Sequence, residues 1–305
     1  MCLKIRKASD CNHFWEGLTK AIKGESIQHS IAGSIFVGKG WLVLINQVRR
    51  KNPLIHCITN DVVTNFTANG LLAVGAAPVM TANHEEVAEV AKTADGLLLN
   101  TGTLTPYQYE GMRLAARSAN ENDTPIVLDP VAVGATTYRT RVVRELLKEI
   151  KVDVIRGNGG EIAALIGMHS DMHGVEGKSD QPPEILAEKA ANVWRTMVCV
   201  TGEVDAVSDG ENTYLIKNGH SWLSRVVGTG CLLGAIVSAY IAAKENNADI
   251  LRSVPEALSH YGIAAEDAFA RAKEDGIGTF QQRFLDALGF INNDHTYERA
   301  NIEQV

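Results

Sequence analysis

The chain has 305 residues, of which 45% are hydrophobic and 21% charged, and these fractions exclude a disordered or fibrous protein. Its formal net charge of −7 argues against a nucleic-acid binder, and no apolar run approaches the roughly 18 residues of a membrane helix. Five widely spaced cysteines without a C-x-x-C pair argue against a zinc ribbon or redox dithiol, so we expect a reduced, cytoplasmic protein.

The first forty residues show no regular spacing of apolar side chains, which predicts a peripheral or poorly ordered extension over residues 1–40. From Trp41 the apolar pattern becomes regular, beginning with a short amphipathic helix at Trp41–Lys51. Because no linker or repeat interrupts this regular pattern, residues 41–290 are predicted to form one domain, with a polar tail over residues 291–305.

Short apolar runs alternate with helical segments through the first two thirds of the chain. The predicted strands are Leu54–Ile58, Ala77–Met80, Gly96–Asn100, Pro125–Asp129, Val152–Arg156 and Met197–Thr201. The predicted helices are Asp61–Ala73, His84–Thr93, Tyr107–Asn120, Arg139–Ile150, Glu161–Ile166 and Pro183–Arg195. This alternation, with nearly all-apolar strands, indicates an α/β fold whose mostly parallel central sheet is flanked by helices on both faces.

The pattern changes after Thr201. The segments Ala206–Ser208 and Thr213–Lys217, separated by Asp209-Gly210, predict an antiparallel hairpin. The rest of the domain is predicted to be helical, with helices at Cys231–Lys244, Leu251–Lys273 and Thr279–Leu288.

A glycine-rich turn, Gly228-Thr229-Gly230-Cys231, lies directly before an apolar helix. Glycines let the backbone approach an anion closely, and the helix start presents unpaired N–H groups at the positive end of the dipole. Phosphate binding is therefore one interpretation of the turn, and tight packing of the helix is the other. The turn alone does not decide between them.

Polar residues end several of the predicted strands. They are Asn60, Asn100, Asp129, Arg156 and Thr201. The carboxyl ends of parallel strands share one rim, where open α/β sheets bind their ligands. Each residue alone is also consistent with a cap or a salt bridge, but five together favour a site.

A carboxylate comes shortly after the strand that ends at Arg156, in the segment Asn158-Gly-Gly-Glu161. Glu161 falls in the first turn of a predicted helix, where its carboxylate is in reach of a magnesium ion and its water shell. The same spacing is typical of a helix-capping pair, so both interpretations stay open.

Several longer stretches are more specific than these motifs. They are Ile58–Gly70, Ala77–Met80, Leu99–Leu104, Leu128–Val131, Ile155–Asn158 with Glu161, Thr201–Asp205 and the Gly228–Cys231 turn. In these stretches the sequence resembles the hydroxyethylthiazole kinase family of the ribokinase-like superfamily. The resemblance extends from about Trp41 to about Leu288.

This resemblance implies ATP-dependent phosphorylation of the hydroxyl of 4-methyl-5-(2-hydroxyethyl)thiazole, a salvage step toward thiamine. By motif match it implies ATP contacts from Arg156, Thr201, Thr229 and Gly230, and thiazole contacts from Met80, Asn60 and Gly228. It further implies that Asp129 and Glu161 hold Mg²⁺ near the phosphates. It also implies a homotrimer whose sites lie at subunit interfaces.

Cys231 is the candidate catalytic residue. Most members of the superfamily carry aspartate at this position, whereas the thiazole kinases share the cysteine. A thiol at a helix N-terminus has its thiolate favoured by the helix dipole, so the sequence predicts that Cys231 accepts the proton of the alcohol.

Two other functions remain open at this point. An ATP-dependent dehydratase acting on hydrated nicotinamide nucleotides shares this architecture, but it usually requires aspartate at position 231. Its large substrate also needs more polar contacts than a pocket with Met80 offers. A non-catalytic binder is disfavoured because Asp129, Arg156, Glu161 and the glycine turn are all present.

Overall fold

The computed structural model describes residues 29–31, 34–36, 44–168, 171–173, 176–244 and 250–305. Helices cover both faces of a large mixed sheet, and this arrangement confirms the α/β architecture expected from the sequence. Within the described ranges, no helix is both long and apolar enough to cross a membrane.

Helices and strands alternate along most of the chain. The helices are α1 (Leu44–Lys51), α2 (Thr64–Val74), α3 (Val87–Thr93), α4 (Pro106–Glu121), α5 (Thr137–Glu149), α6 (Gly159–Leu165), α7 (Pro183–Trp194), α8 (Thr229–Ala243), α9 (Ile250–Ala272), α10 (Ile277–Phe290) and α11 (Asn293–Arg299). A short 3₁₀ helix at Ser221–Arg225 precedes α8.

The strands are β1 (His29–Ile31), β2 (Ser34–Phe36), β3 (Leu54–Ile58), β4 (Ala77–Met80), β5 (Gly96–Asn100), β6 (Ile126–Asp129), β7 (Val154–Asn158), β8 (Asp171–His173), β9 (Glu176–Lys178), β10 (Met197–Thr201), β11 (Asp205–Ser208), β12 (Thr213–Ile216) and β13 (Ile302–Gln304). Their order in the large sheet is β1-β2-β13-β12-β11-β10-β7-β6-β5-β3-β4, and β8 pairs with β9 in a separate hairpin.

The six strands from β10 to β4 run parallel, so their carboxyl ends meet at one rim. Buried apolar residues cover both faces of this half of the sheet. On one face, α8 packs across β5 and β6 and is itself enclosed by α1, α2 and α9. The start of α8 is thereby brought over the rim.

Close approach of α2 to α8 depends on a glycine. A Cβ atom at Gly70 would lie 2.3 Å from the Cδ1 atom of Leu232, so a larger residue requires the buried Leu232 side chain to shift or the helices to move apart. This contact fixes the position of α8 and, with it, the position of the turn that precedes the helix.

The C-terminal segment differs from the expectation of a polar tail. Residues 291–305 contain α11 and β13, and β13 pairs with both β12 and β2. Ile291 and Ile302 are buried. Two apolar anchors within fifteen residues are too few to produce a readable period, which explains why the sequence shows no element there.

Most of the predicted N-terminal extension lies outside the described ranges. Its described part, β1 and β2, forms an antiparallel pair at one edge of the sheet, next to β13. Each of these strands has three residues, a length at which alternation cannot be recognised from sequence.

Candidate active site

Four side chains at the rim project toward α8. The residues two positions earlier in their strands (Leu98, Val127, Val154 and Cys199) all belong to the core beneath that helix. Since side chains alternate between the faces of a strand, Asn100, Asp129, Arg156 and Thr201 share this face. The sequence-predicted rim residues are therefore brought together between the sheet and the first turns of α8.

Asp129 is the buried carboxylate at the centre of this cluster. Its Oδ2 atom accepts a hydrogen bond of 2.6 Å from the Nδ2 atom of Asn100. Its Oδ1 atom is buried, has no hydrogen-bond partner among the described residues, and lies 3.7 Å from the Nη1 atom of Arg156. Burial raises the pKa of Asp129 to about 6, although Arg156 and Asn100 oppose this rise.

Arg156 connects the carboxylate to the neighbouring strand. Its Nη2 group donates to the Oγ1 atom of Thr201 at 2.8 Å. Its Nε atom is buried and finds no hydrogen-bond partner in the part of the chain that the structure describes. The sequence places Arg156 at the end of its strand, but β7 continues for two residues to Asn158. The guanidinium group therefore reaches the rim along the sheet surface.

The glycine turn brings the backbone of α8 close to this arginine. Gly228 has a φ angle of 92°, and a Cβ atom there would lie 2.7 Å from the Cγ1 atom of Val63. A Cβ atom at Gly230 would lie 3.2 Å from the Nη1 atom of Arg156. The positive end of α8 and a guanidinium group thus face the same small volume, which favours an anion.

Thr229 contributes to this turn through its backbone. Its hydroxyl donates within the preceding turn, to the carbonyl oxygens of Leu223 and Val226. Its carbonyl oxygen accepts a hydrogen bond of 2.6 Å from the hydroxyl of Tyr261, which is buried on α9. Tyr261 carries no local sequence signal because it lies 32 residues away, and only the packing of α9 reveals its contribution.

A second anchor missed by the sequence analysis is Asp205, at the start of β11. Its Oδ1 atom accepts a hydrogen bond of 2.9 Å from the backbone N–H of Gly202, directly after Thr201. The spacing of an aspartate three residues after a glycine could have indicated this turn.

Cys231 lies in the first turn of α8, beside Asn60. The Nδ2 group of Asn60 donates to the Sγ atom of Cys231 at 3.3 Å and to the Oδ1 atom of Asn100 at 2.9 Å. Burial raises the pKa of Cys231 to about 11, and the charge of Asp129 acts in the same direction. This desolvation outweighs the opposing hydrogen bonds from Asn100 and Asn60 and the charge of Arg156, so burial favours the protonated thiol over the thiolate expected from the helix position alone.

Glu161 is buried and forms the capping box that the sequence left open. Its Oε2 atom accepts from the backbone N–H of Asn158, whose own side chain accepts from the N–H of Glu161. Its Oε1 atom accepts from the N–H of Ala132 at 2.7 Å. Burial raises the pKa of Glu161 to about 7, and the charge of Asp129 adds to this effect.

The raised pKa of Glu161 predicts a pH-dependent stability. A carboxyl group that binds its proton more tightly in the folded protein loses stabilisation as the pH rises from about 4.5 to about 7. Glu161→Gln places an amide against a backbone N–H and is expected to lower the free energy of unfolding. The difference in unfolding free energy between wild type and variant should decrease as the pH rises from 5 to 8, because only the wild type loses stabilisation over this range.

Urea unfolding at several pH values measures this deficit. Glu149→Gln is the matched control. Hydrogen bonding to Arg113 lowers the pKa of Glu149, so its contribution to stability should not change between pH 5 and 8. A deficit for Glu161→Gln that stays constant between pH 5 and 8 would contradict the prediction.

The oxygens of Asp129 and Glu161 form an incomplete ligand set for a hard cation such as Mg²⁺. The unpartnered Oδ1 atom of Asp129 is the type of ligand that Mg²⁺ prefers, and each Glu161 oxygen retains a lone pair. Within the described residues, no group of three or more His, Cys, Asp or Glu side chains could hold a metal. Because Mg²⁺ usually keeps several waters and binds substrate phosphates, one or two carboxylates are sufficient.

Met80 lies apart from this cluster, at the end of the edge strand β4. It pairs in register with Cys57 of β3 and packs, partly buried, against the core beneath α8. Asn60, by contrast, contacts Cys231 of the same chain, so it belongs to this chain's own cluster.

A comparison with protein families identifies the family of this chain. Residues 45–294 match the model of the hydroxyethylthiazole kinase family. The chain belongs to this family. The match confirms the family, and with it the enzyme class, expected from the sequence.

Individual members of the family are similar over most of their length. The hydroxyethylthiazole kinase of Halalkalibacterium halodurans is 50% identical over 260 residues, which cover 85% of this chain and 99% of that protein. The solved structure of the hydroxyethylthiazole kinase protein from Pyrococcus horikoshii OT3 has a TM-score of 0.79 at 41% identity. The superposition covers 88% of this chain and 99% of the Pyrococcus chain.

A more distant structure shares only the fold. The ADP/ATP-dependent NAD(P)H-hydrate dehydratase of Bacillus subtilis, co-crystallised with ATP/Mg²⁺, has a TM-score of 0.54 at 14% identity. The superposition covers 90% of this chain and 94% of the dehydratase chain. The ribokinase-like architecture therefore does not by itself separate the family's chemistry from that of a dehydratase.

Proposed function

We propose that this protein transfers the γ-phosphoryl group of ATP to the hydroxyl of 4-methyl-5-(2-hydroxyethyl)thiazole, in thiamine salvage. The observation that carries the proposal is the buried cluster of Asp129, Arg156 and Thr201 against the glycine turn of α8. Membership of the hydroxyethylthiazole kinase family, over residues 45–294, supports the choice of acceptor.

Phosphoryl transfer requires mainly positioning and charge stabilisation from the protein. In the proposed mechanism, the N–H groups of Gly230 and Cys231 and the guanidinium group of Arg156 bind phosphate oxygens, and Thr201 keeps that guanidinium oriented. Asp129 and Glu161 would hold Mg²⁺, which neutralises phosphate charge when bound. Met80 and Gly228 would contact the thiazole ring, which needs little beyond apolar contact.

Cys231 and Asn60 lie on the acceptor side of the cluster. Because the thiol is protonated at neutral pH, it positions the alcohol rather than accepting its proton at the outset. A loose transition state leaves the proton on the attacking hydroxyl until late, so a strong base is not required. Asn60, which donates to the thiol, would help to hold the alcohol in place.

Substitution of Cys231 tests this role of the thiol. Cys231→Ala is expected to lower kcat about tenfold without abolishing it, because the backbone N–H groups of the turn remain. Cys231→Asp should remain active, since most members of the superfamily carry aspartate at this position and Asn60 can donate to the new carboxylate. Steady-state kinetics measure both variants, with folding checked by circular dichroism. A folded but inactive aspartate variant would mean that the size or apolarity of the thiol is required.

The activity itself is tested by a coupled assay of ADP release with a panel of small alcohols. Turnover confined to hydroxyethylthiazole, with stoichiometric formation of its phosphate, is the expected result. ATP consumption only in the presence of a hydrated nicotinamide nucleotide would favour the dehydratase. Ligand binding without any turnover would favour a non-catalytic binder.

We also propose that the protein is a homotrimer in the cytoplasm, with Met80 completing a neighbour's pocket. Val62 and Val227 support an interface near the site, because both are largely exposed and adjoin the contact between Val63 and Gly228. Light scattering should give a trimer, whereas a fully active monomer would overturn this proposal.

The N-terminal extension is proposed to be unnecessary for activity. Deleting residues 1–38 is expected to change kcat by less than about twofold, because the proposed site residues all lie outside that segment and terminal segments tolerate change. The deletion also exposes the edge of β13, so a modest loss of thermal stability is expected. A collapse of kcat with an unchanged melting temperature would contradict the prediction.

A further inference from the structure

One buried side chain, Asn100, joins the two sides of the site. It is the last residue of β5 and only 2% exposed. Its Nδ2 group donates to Asp129, on the side of the cluster that faces the phosphates. Its Oδ1 atom accepts from Asn60, which in turn donates to Cys231 on the acceptor side.

The partners of Asn100 fix the orientation of its amide. The Oδ1 atom accepts from two donors, the Nδ2 group of Asn60 and the backbone N–H of Gly102 at 3.0 Å. The Nδ2 group faces a carboxylate oxygen, which can only accept. A flipped amide would oppose donor to donor and acceptor to acceptor at every contact, so only one orientation satisfies the site.

The same contacts constrain the two side chains that Asn100 holds. With its Oδ2 atom bound to Asn100, the Asp129 carboxylate keeps its Oδ1 atom toward Arg156. With one hydrogen of its Nδ2 group directed at Asn100, Asn60 directs the other at the Sγ atom of Cys231. Within the described residues, the Oδ1 atom of Asn60 has no hydrogen-bond partner, so its oxygen remains available to a hydroxyl donor.

We propose that Asn100 is a positioning residue that aligns the phosphate side and the acceptor side of the site through the chain Cys231–Asn60–Asn100–Asp129. This inference rests on the proposed phosphoryl transfer for its catalytic consequence. The amide of Asn100 is buried and already bonded to Asp129, Asn60 and the N–H of Gly102, so its removal should misalign the reacting groups without removing a direct substrate contact.

Kinetics provide the first test of this role. Asn100→Ala is expected to lower kcat at least about tenfold while the KM values for ATP and thiazole change by less than about threefold. Thr101→Val is the matched control, because Thr101 is equally buried and its hydroxyl donates to backbone carbonyl oxygens, those of Asp129 and Val131. The control should keep kcat within about twofold of the wild type.

The reactivity of Cys231 in the substrate-free protein provides a test that does not depend on catalysis. The hydrogen bond from Asn60 favours the thiolate, which is the species that iodoacetamide alkylates. Asn100→Ala should therefore slow alkylation of Cys231 about threefold at pH 8, measured by peptide mass spectrometry. Asn60→Ala should slow it as well, because the side-chain amides of Asn60 and Asn100 both hydrogen-bond the sulfur and favour the thiolate.

Asn100→Ser keeps one hydrogen-bonding group and replaces Asn100→Ala in both experiments if the alanine variant does not fold. It should show the same changes in kcat and alkylation, but smaller. The proposal would be overturned if the folded Asn100 variants had the same kcat and the same rate of Cys231 alkylation as Thr101→Val. A wild type that transfers no phosphate to thiazole, with alkylation still dependent on Asn100, would overturn the proposed function and leave the positioning of Cys231 supported.

Discussion

Asp129→Asn is expected to lower kcat for phosphorylation of the thiazole alcohol about a thousandfold, equivalent to about 4 kcal/mol of transition-state stabilisation. The substitution preserves the shape of the side chain but removes the charge that faces Arg156 in an ion pair. It also removes the oxygen that would bind Mg²⁺. The KM for thiazole should change by less than about threefold, because Asp129 lies on the phosphate side.

The stability of the same variant separates loss of function from loss of fold. Asparagine relieves the burial of a carboxylate but leaves Arg156 without its counter-charge, so the two effects oppose each other. Asp153→Asn is the matched control, because Asp153 accepts from the N–H of Ile126 at the opposite end of β6. The control should keep its full kcat. An Asp129→Asn variant that retains more than about a tenth of wild-type kcat would remove Asp129 from the proposed mechanism.

Arg156→Lys is expected to lower kcat/KM for ATP about a hundredfold, or about 3 kcal/mol. An ammonium group keeps the positive charge near Asp129, but it cannot reproduce the planar fork that donates to Thr201 while facing an anion. The KM for ATP should rise and the KM for thiazole should be spared.

Arg144→Lys provides the comparison for this arginine. Arg144 is also partly buried and donates to two backbone carbonyl oxygens, those of Ala164 and Leu165, at the end of α6. Its replacement should lower the melting temperature without changing the KM for ATP. If Arg156→Lys altered only the KM for thiazole, Arg156 would belong to the other substrate.

The parallel half of the sheet is predictable because its strands are nearly continuous apolar runs. Leu97–Leu99 and Val198–Val200 are buried on both faces, and their lengths match those of strands. The rim can be inferred from this pattern, since parallel strands all end on one side. The antiparallel edge is harder to predict because β1, β2 and β13 have three residues each. β13 in addition pairs with β2, from the other end of the chain.

The site is predictable in its composition but not in its internal contacts. Motifs indicate Asp129, Arg156 and Thr201, yet no motif shows that Asn60 donates to both Asn100 and Cys231. The raised pKa of Cys231 could not be inferred from the sequence, because burial depends on how α2, α8 and the sheet pack together. A local rule such as the helix dipole cannot supply that information.

The edge strand β4 limits how this sheet can meet another chain. The N–H of Ala77 donates inward, to the carbonyl oxygen of Pro53, so the next residue, Pro78, has its nitrogen on the outer side. Proline has no N–H, which leaves Met80 as the remaining outward donor of the strand. Extension of the sheet by a strand from a neighbouring chain is therefore disfavoured here, because one of the two outward donor positions is missing. A subunit that contacts Met80 would therefore bind mainly through side chains, so side-chain shape rather than strand pairing would decide which surface fits this edge.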